Sequence, residues 1–114
     1  MKVLVTGSRG LVGRAVSDVL TSEGHLVVPF DILDGCDVMD RRALSAAAVG
    51  CTHLVHSAAL LGMPELDPDE VFRVNTIGTY NAVIAARDAQ VSRIVFLSSV
   101  NVFGCFRGES LPDS

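Results

Sequence analysis

The stretch that decides the fold is Lys2-Val3-Leu4-Val5-Thr6-Gly7-Ser8-Arg9-Gly10-Leu11-Val12-Gly13, close to the N-terminus. Its first five residues are short, apolar and rich in β-branched side chains, which predicts a buried strand that ends at Gly7. From Gly10 to Leu20 apolar residues recur at helical spacing, and the stripe that includes Val12, Val16 and Val19 predicts an amphipathic helix. A strand, a glycine-rich turn and a helix therefore follow one another.

The turn between them carries a G-x-x-G-x-x-G pattern, which has a chemical use in this setting. Gly7 permits a tight turn, Gly10 lets a pyrophosphate approach the backbone, and Gly13 lets the helix pack on the strand. Free N–H groups and the helix dipole favour a phosphate there. The alternative is a glycine-rich turn that binds nothing, but the flanking strand and helix favour binding. The predicted dinucleotide contacts in this loop are Gly7, Ser8, Arg9, Gly10, Leu11, Val12 and Gly13.

The rest of the chain alternates in the same way. The pattern predicts strands over Leu26–Phe30, Thr52–His56 and Ile94–Leu97, and helices over Arg41–Val49 and Pro68–Arg87. Residues 104–114 are polar and rich in Gly, Pro and Ser, and predict a loop. This order predicts an α/β fold with a parallel sheet, right-handed crossovers and helices on both faces.

Polar and small residues follow each of the later strands. Asp31, after the second strand, can accept hydrogen bonds from adenosine ribose hydroxyls and would repel a 2'-phosphate, which favours NAD over NADP; Arg9 argues weakly the other way. Ligands bind at the carboxyl edge of open parallel sheets, where all these residues are expected. The further predicted cofactor contacts are Asp37 and Val38 at the adenine, and His56, Ser57, Ala58 and Ala59 along the dinucleotide. The alternative to a cofactor contact at Asp31 is a solvated turn residue. At Asp37 a turn aspartate is about as well supported as an adenine contact.

A serine pair, Ser98 and Ser99, ends the fourth predicted strand, and its hydroxyls could bond a substrate oxygen or merely cap the strand. A metal site at Cys51, His53 and His56 is disfavoured, because the first two share a strand face and His56 has the opposite parity.

Composition excludes several other classes of function. The 114 residues are 49% hydrophobic and carry a formal net charge of -4, with no basic cluster, so nucleic acid and anionic membranes are poor partners. No apolar stretch approaches the roughly 18 residues of a membrane span, and the N-terminal apolar stretch is too short for a signal peptide. Three cysteines without framework spacing favour a reduced, cytoplasmic setting.

Together these motifs resemble the extended short-chain dehydrogenase/reductase family, of the NAD-dependent epimerase/dehydratase type. The glycine loop, Asp31, Asp37-Val38 and Leu54–Ala59 match its cofactor motifs. Val74–Asn81 is similar to its N-x-x-G-T-x-N helix, and Ser98–Gly104 to its S-S-x-x-V-Y-G motif, with Phe103 where tyrosine is usual. The resemblance covers residues 2–104.

The resemblance implies further roles and a sheet topology. Asn75 would support the cofactor site, Ser98 would lie at the cofactor, and Ser99 would occupy the catalytic Ser/Thr position. The sheet would be a partial Rossmann sheet of about four strands in the order 3-2-1-4. NAD, a sugar or nucleotide-sugar substrate and a dimer through helices such as 68–87 are expected.

One departure limits the expected chemistry. The family's acid/base tyrosine belongs to a Y-x-x-x-K pair, but Tyr80 is followed four residues later by Ile84, and the only lysine is Lys2. We therefore expect a truncated member in which residues 1–104 form the front of the cofactor domain and 105–114 lead to an absent catalytic half. This chain alone is predicted to be inactive. The alternatives are a non-catalytic NAD(P) sensor and an unrelated doubly wound protein of flavodoxin type.

Overall fold

A computed structural model of the chain describes residues 1–60 and 65–97. Four strands and three α-helices alternate along these residues, with a short 3-10 helix, Ile32–Asp34, after the second strand. The elements are β1 (Lys2–Thr6), α1 (Leu11–Ser22), β2 (Leu26–Phe30), α2 (Arg41–Ala48), β3 (His53–His56), α3 (Pro68–Asp88) and β4 (Arg93–Phe96). The predicted α/β order is confirmed, and the bounds differ by only one or two residues. The predicted loop over 104–114 lies outside the described residues.

The four strands form one parallel sheet in the order β2-β1-β3-β4, so the expected order 3-2-1-4 is wrong. After β2 the N–H groups of Asp34 and Cys36 both donate to the carbonyl of Asp31 at 3.0 Å, which folds the chain into a turn that leads toward α2. A parallel strand on either side of the β1–β2 pair must follow such a crossover, so only the observed pairing decides the order. The next strand, β3, pairs with the other side of β1. The order of the strands therefore reverses at β1.

This topology places helices on both faces of the sheet. Because β2 and β3 lie on opposite sides of β1, right-handed crossovers put α1 on one face and α2 and α3 on the other. The main core lies on the second face, where the fully buried Leu4 and Leu54 pack with Leu44 of α2 and Ala82 of α3. The predicted helices on both faces are thus confirmed.

The other face of the sheet is only partly covered. The predicted apolar stripe of α1 is largely exposed: Val19 is 60% exposed, and only Gly13 of this helix is buried. The helix packs mainly against β1 and β2. β4 lies at the edge of the described sheet. Val95 of β4 is 44% exposed. No helix in the described part of the chain is long and apolar enough to cross a membrane.

Candidate functional site

The carboxyl ends of β1, β2 and β3 meet at one edge of the sheet. The Gly7 N–H donates to the Phe30 carbonyl at 2.8 Å, and the Ser57 hydroxyl donates to the carbonyl of Thr6. A cavity of about 440 Å³ opens at this edge. The predicted residues that line it are Gly7, Gly10, Asp31, Asp37, Val38, Ser57, Ala58 and Ala59. The strand ends therefore bring eight of the sixteen predicted cofactor contacts to one cavity.

Two glycines of the loop allow backbone segments to touch. Gly7 has a φ of 65°, and a Cβ there would lie 2.8 Å from the backbone nitrogen of Ala58. A Cβ on Gly13 would overlap the Gly7 carbonyl oxygen and lie 2.9 Å from the Ser57 hydroxyl. The tight turn and the close packing of helix on strand, predicted for these two positions, are both present.

Donors at the start of α1 have no intramolecular partner. Gly10 is the N-cap without a side-chain hydrogen bond, and the helical ladder begins with the Arg14 N–H donating to Gly10 at 2.9 Å. The N–H groups of the first turn, Leu11 to Gly13, therefore have no intrahelical acceptor. In the described part of the chain the Ser8 hydroxyl is the one buried side-chain polar atom without a hydrogen-bond partner. This donor set fits a phosphate group, because anions are stabilised at helix N-termini.

Asp31 is fixed beside this loop by the backbone. Its side chain is 7% exposed and accepts hydrogen bonds from the N–H groups of Arg9 and Leu33, both at 2.9 Å. Each carboxylate oxygen accepts one of these and keeps a further lone pair. The carboxylate is thus held rigidly at the cavity wall with acceptor capacity left over.

Arg9 does not offer a free guanidinium group to the cavity. Its Nη2 lies 2.6 Å from one carboxylate oxygen of Asp34, and its Nε lies 3.0 Å from the other. This two-point ion pair uses the Nε and Nη2 donors of Arg9, the kind of donor pair with which arginine binds a phosphate. The weak argument for NADP that Arg9 offered from sequence is therefore offset by Asp34.

Asp37 and Val38 lie on the opposite wall. The Asp37 carboxylate accepts from the Met39 N–H at 2.9 Å, and Val38 is buried against Gly78 of α3. The buried Asn81 donates from Nδ2 to the Val38 carbonyl at 3.0 Å. The second asparagine of the N-x-x-G-T-x-N helix therefore holds this wall in place.

Asn75, the first asparagine of that helix, holds the loop after β3. Its Oδ1 accepts from the Leu60 N–H at 2.7 Å, and its Nδ2 donates to the Leu60 carbonyl at 3.0 Å. The family resemblance implies a supporting role for Asn75, and in the structure Asn75 holds Leu60, which lines the cavity. Ser98 and Ser99 lie outside the described residues.

His56 is not in the cavity lining; it lies beneath it. The ring is 5% exposed, with Nδ1 2.8 Å from the Thr6 hydroxyl and Nε2 3.2 Å from the Thr79 hydroxyl. Burial lowers the pKa of His56 below its ordinary value. His53, on the opposite face of β3, bonds the neighbouring Thr52 instead. The described residues contain no cluster of metal-ligating side chains.

Sequence reasoning missed several residues of this site. Thr6, Thr79 and Asn81 all stand within the motifs quoted above, so a signal was present but no role was assigned to it. Glu70 and Arg73 line the cavity from α3, and nothing local in the sequence marks them. Their position depends on the path of α3 over the sheet edge.

The fold and the site together define a nucleotide-binding protein of the Rossmann class. The model of the NAD dependent epimerase/dehydratase family matches residues 3–113, and the chain belongs to this family. It is 39% identical to L-arabinose 1-dehydrogenase (NAD(P)(+)) of Haloferax volcanii, over 89% of this chain and 42% of that protein. It is 35% identical to sterol demethylase protein B of Methylococcus capsulatus, over 91% of this chain and 36% of that protein.

Solved structures give the same assignment. A short-chain dehydrogenase/reductase superfamily protein from Agrobacterium tumefaciens, with bound NAD, is 38% identical with a TM-score of 0.82, over 91% of this chain and 34% of that one. UDP-glucose 4-epimerase of Thermus thermophilus, in complex with NAD, is 30% identical with a TM-score of 0.77; the match covers 87% of this chain and 38% of that one. The chain therefore spans well under half the length of the proteins it matches.

Proposed function

We propose that residues 1–104 form the NAD-binding part of an epimerase/dehydratase-type oxidoreductase whose substrate is a sugar, nucleotide-sugar or related alcohol or ketone, and that 105–114 lead toward the substrate side. The observation that carries the proposal is the cavity at the carboxyl ends of the strands, which is lined by Gly7 and Gly10 of the glycine loop and by the buried Asp31, at the uncapped N-terminus of α1. The free N–H groups of α1 suit a phosphate and the Asp31 carboxylate suits a ribose, so together they fit a dinucleotide. The family match and NAD in the related structures support the same ligand.

The chain's own residues would divide the cofactor between two walls. Ser8 and the first N–H groups of α1 would hold the pyrophosphate, and Asp31 would accept from the adenosine ribose hydroxyls. Asp37 and Val38 would contact the adenine, and the small residues from Ser57 to Ala59 would let the dinucleotide lie against β3. When bound, NAD supplies a reversible hydride acceptor. The residues described here bind and orient; Ser99 is proposed to contact the substrate oxygen.

Replacing Asp31 with Ala tests the proposal directly. Loss of charge-assisted hydrogen bonds to the ribose costs about 1.5–3 kcal/mol, or about 10- to 150-fold in the dissociation constant of NADH. NADH binding is measured by fluorescence titration. Asp18→Ala, an exposed carboxylate on α1, is the matched control and should not change the affinity. Wild-type chain that fails to bind NADH, or an Asp31→Ala variant that binds it unchanged, would contradict the proposal.

A non-catalytic role is the second candidate, and the sequence itself favours it at one point. These 114 residues contain no Y-x-x-x-K pair, because the residue four positions after Tyr80 is Ile84 and the only lysine is Lys2. We propose that the 114-residue chain binds NADH without turnover. Hydride transfer to a carbonyl substrate by the purified chain would contradict this. Sequencing the gene beyond the codon for Ser114 separates an enzyme segment from a cofactor sensor.

We also propose that the protein self-associates. α3 exposes Phe72 (71%) and Tyr80 (56%), and β4, which carries the 44% exposed Val95, is the edge strand of the sheet formed by the described residues. Open apolar edges and faces promote pairing with a second copy. Sedimentation at rising concentration should show a dimer. Phe72→Glu should abolish a dimer formed through α3, Val95→Lys one formed through β4, and a strictly monomeric wild-type profile would refute both.

A cytoplasmic setting is proposed on the state of the thiols. Cys36 and Cys51, the two cysteines in the described part of the chain, are both free. Burial raises the pKa of Cys51, which keeps it a protonated, unreactive thiol. Thiol titration of the purified protein under non-reducing conditions should therefore detect these groups unoxidised.

A further inference from the structure

A chain of hydrogen bonds runs from the glycine loop to α3 through His56. The Thr6 hydroxyl, at the end of β1, lies 2.8 Å from His56 Nδ1. His56 Nε2 lies 3.2 Å from the Thr79 hydroxyl, which donates to the Asn75 carbonyl at 2.7 Å. The same Thr6 oxygen lies 3.1 and 3.2 Å from the N–H groups of Ser57 and Ala58. This series of hydrogen bonds therefore links β1, the end of β3 and α3 next to the cavity.

Counting donors and acceptors fixes the direction of every bond. A threonine hydroxyl has one proton and two lone pairs. Two backbone N–H groups fill the lone pairs of Thr6, so its proton must be donated to His56 Nδ1. The neutral imidazole then carries its proton on Nε2 and donates it to Thr79. Thr79 is free to accept because its own proton goes to the Asn75 carbonyl. Only the neutral Nε2–H tautomer satisfies all these groups.

We propose, on the basis of the NAD-binding function above, that His56 is a positioning residue which in its neutral Nε2–H tautomer fixes the Ala58 amide, and with it the cofactor-lining loop, against the glycine loop. Ala58 is the sensitive point. The Ser57 N–H has a second acceptor, the Thr6 carbonyl at 3.3 Å, whereas the Ala58 N–H has only the Thr6 hydroxyl. Ala58 also lies directly against Gly7, so a shift of one moves the other.

Protonation of His56 would disrupt this arrangement. A proton on Nδ1 would face the Thr6 oxygen and compete for its two lone pairs with the N–H groups of Ser57 and Ala58, of which only Ser57 has a second acceptor. The groups facing the ring are Thr6 from β1, Thr79 from α3 and Phe96 from β4, whose ring centroid is 6.1 Å away. None of them titrates, and among the described residues burial alone lowers the pKa of His56. The arrangement therefore favours the neutral ring at neutral pH.

The first measurement is independent of the cofactor. Long-range proton–nitrogen NMR correlations of the 114-residue chain identify the tautomer of His56, and the Ala58 amide resonance is followed against pH. We expect the Nε2–H tautomer and an Ala58 shift that moves with the same midpoint as the His56 ring. The Nδ1–H tautomer overturns the proposal. So does an Ala58 amide shift that changes neither with the protonation of His56 in wild type nor on substitution of His56.

The second measurement is NADH affinity as a function of pH. His56→Asn keeps an acceptor near the Nδ1 position but does not titrate, whereas His56→Phe removes the acceptor. We expect wild-type affinity to fall in acid by about two- to tenfold, the worth of one hydrogen bond. His56→Asn should lose that pH dependence, and His56→Phe should bind weakly at every pH. His53→Asn, on the opposite face of β3, is the matched control and should behave as wild type.

The two proposals fail in different ways. A wild-type chain that binds no NADH at any pH contradicts the proposed function, while the tautomer and the Ala58 resonance still decide the role of His56. A chain that binds NADH but shows equal affinity in His56→Phe and wild type, with both folded by circular dichroism, contradicts the positioning role alone.

Discussion

Gly13→Ala separates packing from ligand binding within a single loop. The added methyl group would overlap the Gly7 carbonyl oxygen, and it would also lie 2.7 Å from the Gly7 carbonyl carbon. These neighbours are backbone atoms, and Gly7 is itself held by its 2.8 Å hydrogen bond to Phe30. Neither side can rotate away, so α1 must move off β1.

The cost follows from two opposing effects. Overpacking against a fixed neighbour costs about 1–3 kcal/mol and occasionally more, and backbone contact places this site at the upper end. Alanine in a helix recovers about 0.5–1 kcal/mol relative to glycine. The net loss is about 2–3 kcal/mol, a large part of the roughly 5–15 kcal/mol that holds a domain folded. At about 4 °C per kcal/mol for a chain of this size, the melting temperature should fall by about 10 °C.

Urea unfolding followed by circular dichroism measures this loss, and Gly10→Ala is its matched control. A Cβ on Gly10 would meet only the Gly7 carbonyl oxygen, at 3.3 Å, and its φ of -72° suits any residue. Gly10→Ala should therefore cost less than about 1 kcal/mol of stability, yet weaken NADH binding because the methyl group enters the cavity. A Gly13→Ala variant within about 0.5 kcal/mol of wild type, the usual scatter of neutral changes, would refute the packing argument.

Three further results are expected. Asp34→Asn frees the guanidinium of Arg9, so the affinity for NADPH relative to NADH should rise about two- to fivefold, while Asp88→Asn, at a second exposed pair, should leave the ratio unchanged. Burial lowers the pKa of His56, so the unfolded chain binds a proton at this histidine more tightly than the folded chain does. The free energy of unfolding should therefore fall as the pH drops below about 6.5, and it should fall less in His56→Asn. Urea midpoints measured at two pH values check this. Asn75→Ala removes two bonds to the cavity loop and should weaken NADH binding more than Asn75→Asp, which keeps an acceptor; equal affinities would contradict the supporting role.

Local patterns carried most of the fold. The strand Lys2–Thr6 and the helix that begins at Pro68 were predicted from composition, periodicity and capping, and both were found within a residue of the expected bounds. Asp67, the residue before Pro68, caps α3 by accepting from the Asp69 N–H at 3.0 Å. Such features depend on interactions over a few residues, which a sequence displays directly.

The candidate site was predictable as a set of residues but not as a set of contacts. The sequence identified the glycine loop, Asp31 and the small residues after β3, because each follows a strand and parallel strands end at one edge. It could not show that Arg9 is paired with Asp34, since that ion pair joins the glycine loop to the 3-10 helix after β2, 25 residues further along the chain. Nor could it place Glu70 and Arg73 on the cavity wall.

The amino-acid sequence by itself determined the α/β class, the order of elements, the glycine loop and the family resemblance, because each depends on the spacing of residues close together along the chain. Only the tertiary structure decided that β3 joins β1 rather than lying beyond β2, because a crossover through a helix can return the chain to either side of the β1–β2 pair. The same strand register brings Thr6, His56 and Thr79 into one hydrogen-bonded line. Partners about 20 to 50 residues apart meet only when the sheet is assembled, so their bonds are a property of the fold.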